Sequence, residues 1–266
     1  MKIKSLTLVA IVTLLACKND QKTTNSEVEI ETVPVASEEP KQEFTISPIS
    51  HATMVLTWDG KTLYVDPVGG GDAFTGYKAP DLILVTDIHG DHLNVETLEA
   101  VTTETTKLLV PQAVANELSE GLLKKSIVIH NGETQTIEGF SIEAIPMYNL
   151  REEALKFHEK GRGNGYVIEK DDRRVYLSGD TEDIPEMRAL QNIDVAFVCM
   201  NLPYTMTVES AADAVLAFAP VIVYPYHYRG GDGLSDVAKF KQLVNEKNPS
   251  IIVTQLNWYR NQEASN

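Results

Sequence analysis

The segment Asp87-Ile88-His89-Gly90-Asp91-His92 places two aspartates and two histidines close behind the apolar run Leu82-Ile83-Leu84-Val85. Carboxylate and imidazole are the side chains that bind zinc and related cations. Buried together without partners, such groups would each carry a large desolvation cost, and a shared cation removes it. A polar turn with a helix cap is the plainer alternative for this segment taken alone. Two further apolar runs also finish in candidate ligands: Asp180 in Ser178-Gly179-Asp180-Thr181, and His227 in Tyr224-Pro225-Tyr226-His227. Ligands at the ends of separate strands can converge on one rim, where loops carry chemistry.

The elements that must position these residues follow from the apolar pattern. Thr53 to Trp58 and Thr62 to Val65 flank Asp59-Gly60, a two-residue hairpin signal. From Asp81 onward short apolar strands alternate with helical segments. Asn94 is the expected cap of a helix reaching Val101, and Pro111 opens another that runs to about Leu118. A second half repeats the plan: strands Gly165 to Glu169 and Arg173 to Leu177 form a hairpin around Asp171-Asp172. A helix capped by Thr207 and a last helix over about Leu234 to Asn245 follow. Two β-rich halves with outer helices predict an α+β sandwich of layers rather than an open parallel sheet.

The chain has 266 residues, with 23 basic and 38 acidic side chains and a formal charge of −15. Such a surface repels nucleic acid, so no nucleic-acid partner is expected. Residues 1–16 carry Lys2 and Lys4 before an apolar stretch too short to span a bilayer, and Leu14-Leu15-Ala16-Cys17 resembles a bacterial lipobox. That resemblance implies a lipid on Cys17, attachment to the membrane of a bacterial cell envelope, and a solvated tether over residues 17–43. The globular domain is expected over residues 44–260. Cys199, inside an apolar run, reads as a small buried hydrophobe. Gly69-Gly70-Gly71 lacks the ending of a phosphate-binding loop, and no nucleophile-elbow serine motif precedes a helix.

From Ile46 to about Leu256 the chain resembles the metallo-β-lactamase fold superfamily, in particular a branch of ascorbate-phosphate lactonase-like hydrolases. The resemblance implies a four-layer αββα sandwich. It rests on Asp87 to His92 against the motif His-x-His-x-Asp-His, on Ser178 to Thr181, and on Tyr224 to His227. It implies that His89 belongs to a first metal site and that Asp91, His92 and His227 form a second, with Asp180 bridging them. Asp87 stands where the motif has a histidine, and Asn149 stands where relatives often carry the third one. Either His158 or Asn149 is then expected to complete the first site, or that site is expected to be weak. A carboxylate in place of imidazole moves the preference toward harder ions, so manganese, iron or magnesium join zinc as candidates for one or two ions.

The implied activity is a metal-dependent hydrolase in which a metal-bound hydroxide attacks an ester, lactone or phosphodiester of small size. Asp91 is the expected catalytic carboxylate. His51, Tyr148 and Arg229 are the candidates to face the substrate or support the ligands, and Lys160 and Arg162 read most simply as parts of a solvated loop. The altered Asp87 and Asn149 leave a second reading open: a non-catalytic, metal- or ligand-binding lipoprotein that has lost the first site.

Overall fold

The computed structural model describes residues 44–259, so the Cys17 lipidation and the tether lie outside the described residues. The first sheet orders six strands as β1 (Phe44–Ser50), β2 (Thr53–Trp58), β3 (Lys61–Val65), β4 (Leu82–Leu84), β5 (Lys107–Val110) and β6 (Ser126–Val128). Its first three strands are antiparallel and the later ones run parallel. Next along the chain come β7 (Thr134–Ile137), β8 (Phe140–Met147), β9 (Gly163–Lys170), β10 (Arg173–Leu177), β11 (Val195–Val198) and β12 (Ile222–Pro225). A short ribbon of β13 (Arg229–Gly230) and β14 (Gly233–Leu234) separates these from β15 (Ile252–Val253). The second sheet has the order β15-β12-β11-β10-β9-β8-β7 and repeats the scheme, antiparallel from β7 to β10 and parallel from there to β15.

Alternation along the strands builds the layers. Met54, Leu56, Leu63, Val65, Leu82, Leu84 and Leu109 join the main core with Ile142, Ala144, Tyr166 and Ile168 of the second sheet. Their neighbours Val55, Tyr64, Ile83, Leu108 and Val110 point the other way, onto Leu98, Val114 and Leu122. Those three belong to α1 (Val95–Val101), α2 (Gln112–Ala115) and α3 (Glu120–Leu123). On the far side of the second sheet lie α4 (Pro185–Arg188), α5 (Val208–Phe218) and α6 (Val237–Lys247), with Ala211, Val215, Phe240 and Val244 buried against it. The expected αββα sandwich is the observed fold.

The caps on α1 and α5 fall where the sequence predicts them: Asn94 accepts from the Thr97 amide at 2.7 Å, and Thr207 from that of Ser210 at 3.0 Å. Two expectations need correction. The helix opened by Pro111 stops at Ala115, and α3 follows as a separate turn. The last helix begins later than Leu234, which lies in β14, because Asp236 accepts from the Lys239 amide at 2.8 Å and sets the start at Val237.

The two sheets lock together beneath the ligand-bearing loops. The Asn164 amide of β9 donates to the Thr86 carbonyl at 2.9 Å, and the Tyr166 hydroxyl donates to the Val85 carbonyl at 2.8 Å. Gly163 makes this approach feasible, since a Cβ there would stand 2.7 Å from the Thr86 oxygen.

Candidate metal centre

Each ligand-bearing segment leaves the end of a strand. Asp87 to His92 follow β4, Asp180 follows β10, and His227 follows β12 with φ 45°, a left-handed residue that turns the chain back toward the rim. The amides of His92 and Leu93 both donate to the His89 carbonyl, at 2.9 and 2.8 Å, and fold the motif into a tight turn. Ligands far apart in sequence thereby meet in space.

Asp180 sits at the middle. Its Oδ2 lies 3.4 Å from His92 Nε2 and 3.3 Å from His158 Nε2, while its Oδ1 lies 3.4 Å from His227 Nε2. His92 and His227 bring their Nε2 atoms within 3.1 Å of each other. Asp91, the most exposed carboxylate here at 42 %, reaches His227 Nε2 at 3.2 Å. Two groups of candidate ligands share the rim: Asp87, His89 and His158 on one side, and His92, Asp180 and His227 on the other. Asp91 and His227 also stand in coordinating range together with His51.

His158, rather than Asn149, faces the first group. Its Nδ1 donates to the Tyr204 carbonyl at 3.2 Å, which leaves the Nε2 lone pair aimed at Asp180. Asn149 supports it from behind: the Asn149 amide bonds to the His158 carbonyl at 3.0 Å, and its Nδ2 donates to the Tyr204 carbonyl at 2.6 Å. Asn149 Oδ1 remains a buried acceptor without a hydrogen bond.

The electrostatics of the cluster favour added positive charge. Burial alone would push the Asp180 carboxyl up, yet the charges of His227 and His92 and the close approach of the His158 and His92 rings hold it well below the carboxylate range. Burial likewise opposes charge on His92, but Asp180 and Asp66 raise its imidazole well above the usual value. Burial also works against charge on Asp91, and the hydrogen bond and charge of His227, with His92, outweigh it and keep that carboxylate ionised. Buried anions that hold protons on their neighbours are calling for positive charge. His158 Nε2 and Asp180 Oδ1 are buried with no hydrogen-bond partner. The donor set of carboxylate oxygen and imidazole nitrogen therefore fits divalent cations.

The structure also brings in residues that sequence reasoning passed over. Asp66, fully buried after β3, accepts from the Thr86 amide and hydroxyl at 2.7 Å each and bonds to His92 Nδ1 at 2.8 Å. That contact holds a proton on His92 Nδ1, so Nε2 is the nitrogen free for the rim once the ring gives up its second proton to a bound cation's charge. An acid closing an apolar strand was the available signal, the same one that singled out Asp87. Arg162, read as part of a solvated loop, is instead forked onto Asp87, with Nε to Oδ1 at 3.0 Å and Nη2 to Oδ2 at 2.7 Å. Tyr148 is a further correction. Its hydroxyl donates to Glu186 at 2.9 Å under the Lys160 ammonium, while Met147 points at the site and accepts from the Asp180 amide. Adjacent residues of extended chain face opposite ways, and Met147 holds the inward place. Cys199 is buried as expected, and burial pushes its thiol up to about 12, so it remains unionised at neutral pH.

Above the ligands opens a cavity of about 350 Å³ walled by Asp91, His158, Tyr204, His227, Arg229 and His51. Arg229 is the only lysine or arginine in its lining, and its guanidinium lies 4.7 Å from the centre of the Tyr259 ring. Burial, reinforced by the nearby His227, lowers the His51 imidazole to about 4 against Asp91, which raises it. The folded chain thus keeps His51 neutral where the unfolded chain protonates it near 6.5. The metal-free protein should consequently lose stability as pH falls from 6.5 toward about 4, with no effect from this group above that window. His51→Asn, which tolerates the φ of 48°, should flatten that part of the acid slope in urea denaturation. An unchanged slope would contradict it.

Residues 45–227 match the β-lactamase superfamily domain. The chain belongs to that family. A UPF0173 metal-dependent hydrolase of Pyrococcus horikoshii is 30% identical over 215 residues, which span 77% of this chain and 94% of the relative. A Parabacteroides distasonis protein assigned as a metal-dependent hydrolase has a crystal structure 40% identical in sequence. The match has a TM-score of 0.72 and covers 80% of this chain and 93% of that one. A metallo hydrolase of Ignicoccus hospitalis shares the fold at 22% identity and TM-score 0.68, covering 80% of this chain and 95% of the other. The fold expected from the motifs is the fold of this superfamily.

Proposed function

We propose that the protein is a metal-dependent hydrolase of small anionic esters, with cyclic esters first and phosphodiesters second, and that zinc is the leading metal. The observation that carries this reading is the convergence of Asp91, His92, Asp180 and His227 within coordinating range under an open cavity. The two relatives named for metal-dependent hydrolysis support it. Asp87, His89, His158 and Asp180 would hold one cation, and Asp91, His92, Asp180 and His227 the other. Bound there, such ions supply a water acidic enough to ionise near neutral pH and a Lewis acid for the substrate's carbonyl or phosphoryl oxygen.

The remaining roles belong to the chain's own groups. Asp180 keeps the two clusters within reach of one another. Asp91, ionised and partly exposed at the cavity, is the group to accept and pass on a proton. Asp66 fixes the His92 ring. Arg229 offers a two-pronged donor to a carboxylate or phosphate carried by the substrate, and the Tyr259 ring beneath it limits its rotamers.

The test is turnover by zinc- or manganese-loaded protein of a lactone bearing a carboxylate, its uncharged analogue, a phosphodiester and a β-lactam. The charged lactone should be hydrolysed fastest. Arg229→Met should raise its KM by about tenfold while changing kcat little, since the guanidinium binds ground state and transition state alike. Turnover confined to the uncharged analogue would remove Arg229 from the scheme. No turnover of any substrate by protein that retains metal would favour the binding-only reading.

The proposal extends to location. The lipobox-like Leu14 to Cys17 supports anchoring of the domain to a bacterial cell envelope through a lipid on Cys17. Cys17→Ser should shift the protein from the detergent to the aqueous phase, and unchanged partitioning would refute the anchor.

A further inference from the structure

The two ligand clusters are not equivalent, and Arg162 is the reason. Asp87 is fully buried, and both of its oxygens are taken up by one guanidinium in a planar fork. The same Nη2 donates to the Phe157 carbonyl at 2.5 Å and stands 3.5 Å from His89 Nε2. Arg162 is itself largely enclosed, with 18 % of its side chain exposed. It therefore ties the segment that carries His158 to the first residue of the ligand motif. Among the described residues, no lysine or arginine forms an ion pair with Asp91 or Asp180; their ionic partners are histidines.

We propose that Arg162 acts as a built-in cation that makes the first cluster the weaker, later-filling one. This rests on the metal-dependent reading above. A fork-bound carboxylate has already been neutralised, and the fork is the strong form of this pairing. An ion entering between Asp87, His89 and His158 must share Asp87 Oδ2 with Nη2 and accept a fixed positive charge close by. Entry is not blocked, because His158 Nε2 has no hydrogen bond and an incoming ion can take the place on Asp87 Oδ2 where His89 Nδ1 now stands at 2.8 Å. The second cluster pairs Asp91 and Asp180 with imidazoles, and among the described residues no guanidinium is forked onto either carboxylate. The protein would then bind one divalent cation tightly at Asp91, His92, Asp180 and His227, and take up a second only at higher concentration. The guanidinium would also offset the negative charge that Asp87 brings where the motif has a histidine.

The experiment is zinc titration of chelator-stripped protein by calorimetry, with the metal retained after gel filtration measured by plasma mass spectrometry. The wild-type chain should retain one ion and show a second step weaker by at least about 100-fold. Arg162→Met should tighten the second step by about tenfold or more and leave the first within a factor of about three. Arg162→Lys keeps the charge without the fork, so its second step should stay weak. That separates charge from packing, and circular dichroism checks that both variants fold. His158→Ala should abolish the second step alone. Two ions of equal affinity in the wild type would overturn the proposal. So would a second step in Arg162→Met that is unchanged or lost while the protein remains folded. Failure to bind zinc or any other divalent ion at all would instead overturn the metal-dependent reading itself.

Discussion

Asp180→Ala should empty both clusters of metal and reduce hydrolysis by at least about a thousandfold, because one carboxylate serves both sides. Its Oδ2 is within 3.4 Å of His92 and 3.3 Å of His158, and its Oδ1 is within 3.4 Å of His227. No other acidic group makes this set of contacts among the described residues. Loss of the carboxylate also removes the leading influence that raises the His92 imidazole, so three buried rings would face one another with less counter-charge. Metal content and turnover are the two readouts, and they should fall together. Asp180→Asn separates charge from shape: it keeps the volume and should lose metal nearly as fully. A variant that kept both ions would show that the centre is organised around some other residue.

Asp66→Asn should be a milder change to the fold and a severe one to the centre. The amide oxygen can still accept from the Thr86 amide, as Asp66 Oδ1 does at 2.7 Å. The amide nitrogen, however, would face His92 Nδ1 as a donor where Oδ2 now accepts. That contact favours the other tautomer, with the proton on Nε2, the atom aimed at Asp180 and His227. Metal affinity should drop by about 10–100-fold. Asp66→Ala adds a stability cost of about 3–5 kcal/mol, since it leaves a buried, charged His92 without its partner. Thermal melting and zinc titration of the pair distinguish the effects. Equal metal affinity in Asp66→Asn and wild type would exclude tautomer control.

Much of this was legible before any coordinates. The spacing of His89, Asp91 and His92 is local, and an acid or histidine at a strand's end is visible as a break in an apolar run, so Asp180 and His227 could be read as well. Hairpin and cap residues such as Asp59-Gly60, Asn94 and Thr207 act over a few positions and mark their elements directly. His158 could only be offered beside Asn149, because the choice depends on how residues 149–158 loop back on themselves through the Asn149–His158 backbone bond. Asp66 carries no local mark of its role, because its partner His92 is 26 positions away. Arg162 hid in a glycine-rich stretch, and its contact with Asp87 crosses 75 positions. Tyr148 misled because polarity alone does not say which side of the chain a ring leaves.

The centre also straddles the seam between the sheets. Asp87 to His92 descend from β4 of the first sheet, whereas His158, Asp180 and His227 belong to the second. A cation held across that seam binds only when both halves are docked, so its binding energy adds to the free energy of assembly. At a thousandfold excess over its dissociation constant this linkage amounts to about 4 kcal/mol per ion. Ambient metal supply would then govern how long the folded chain survives as well as how fast it works, and starvation for the ion would be felt first as loosening along the seam.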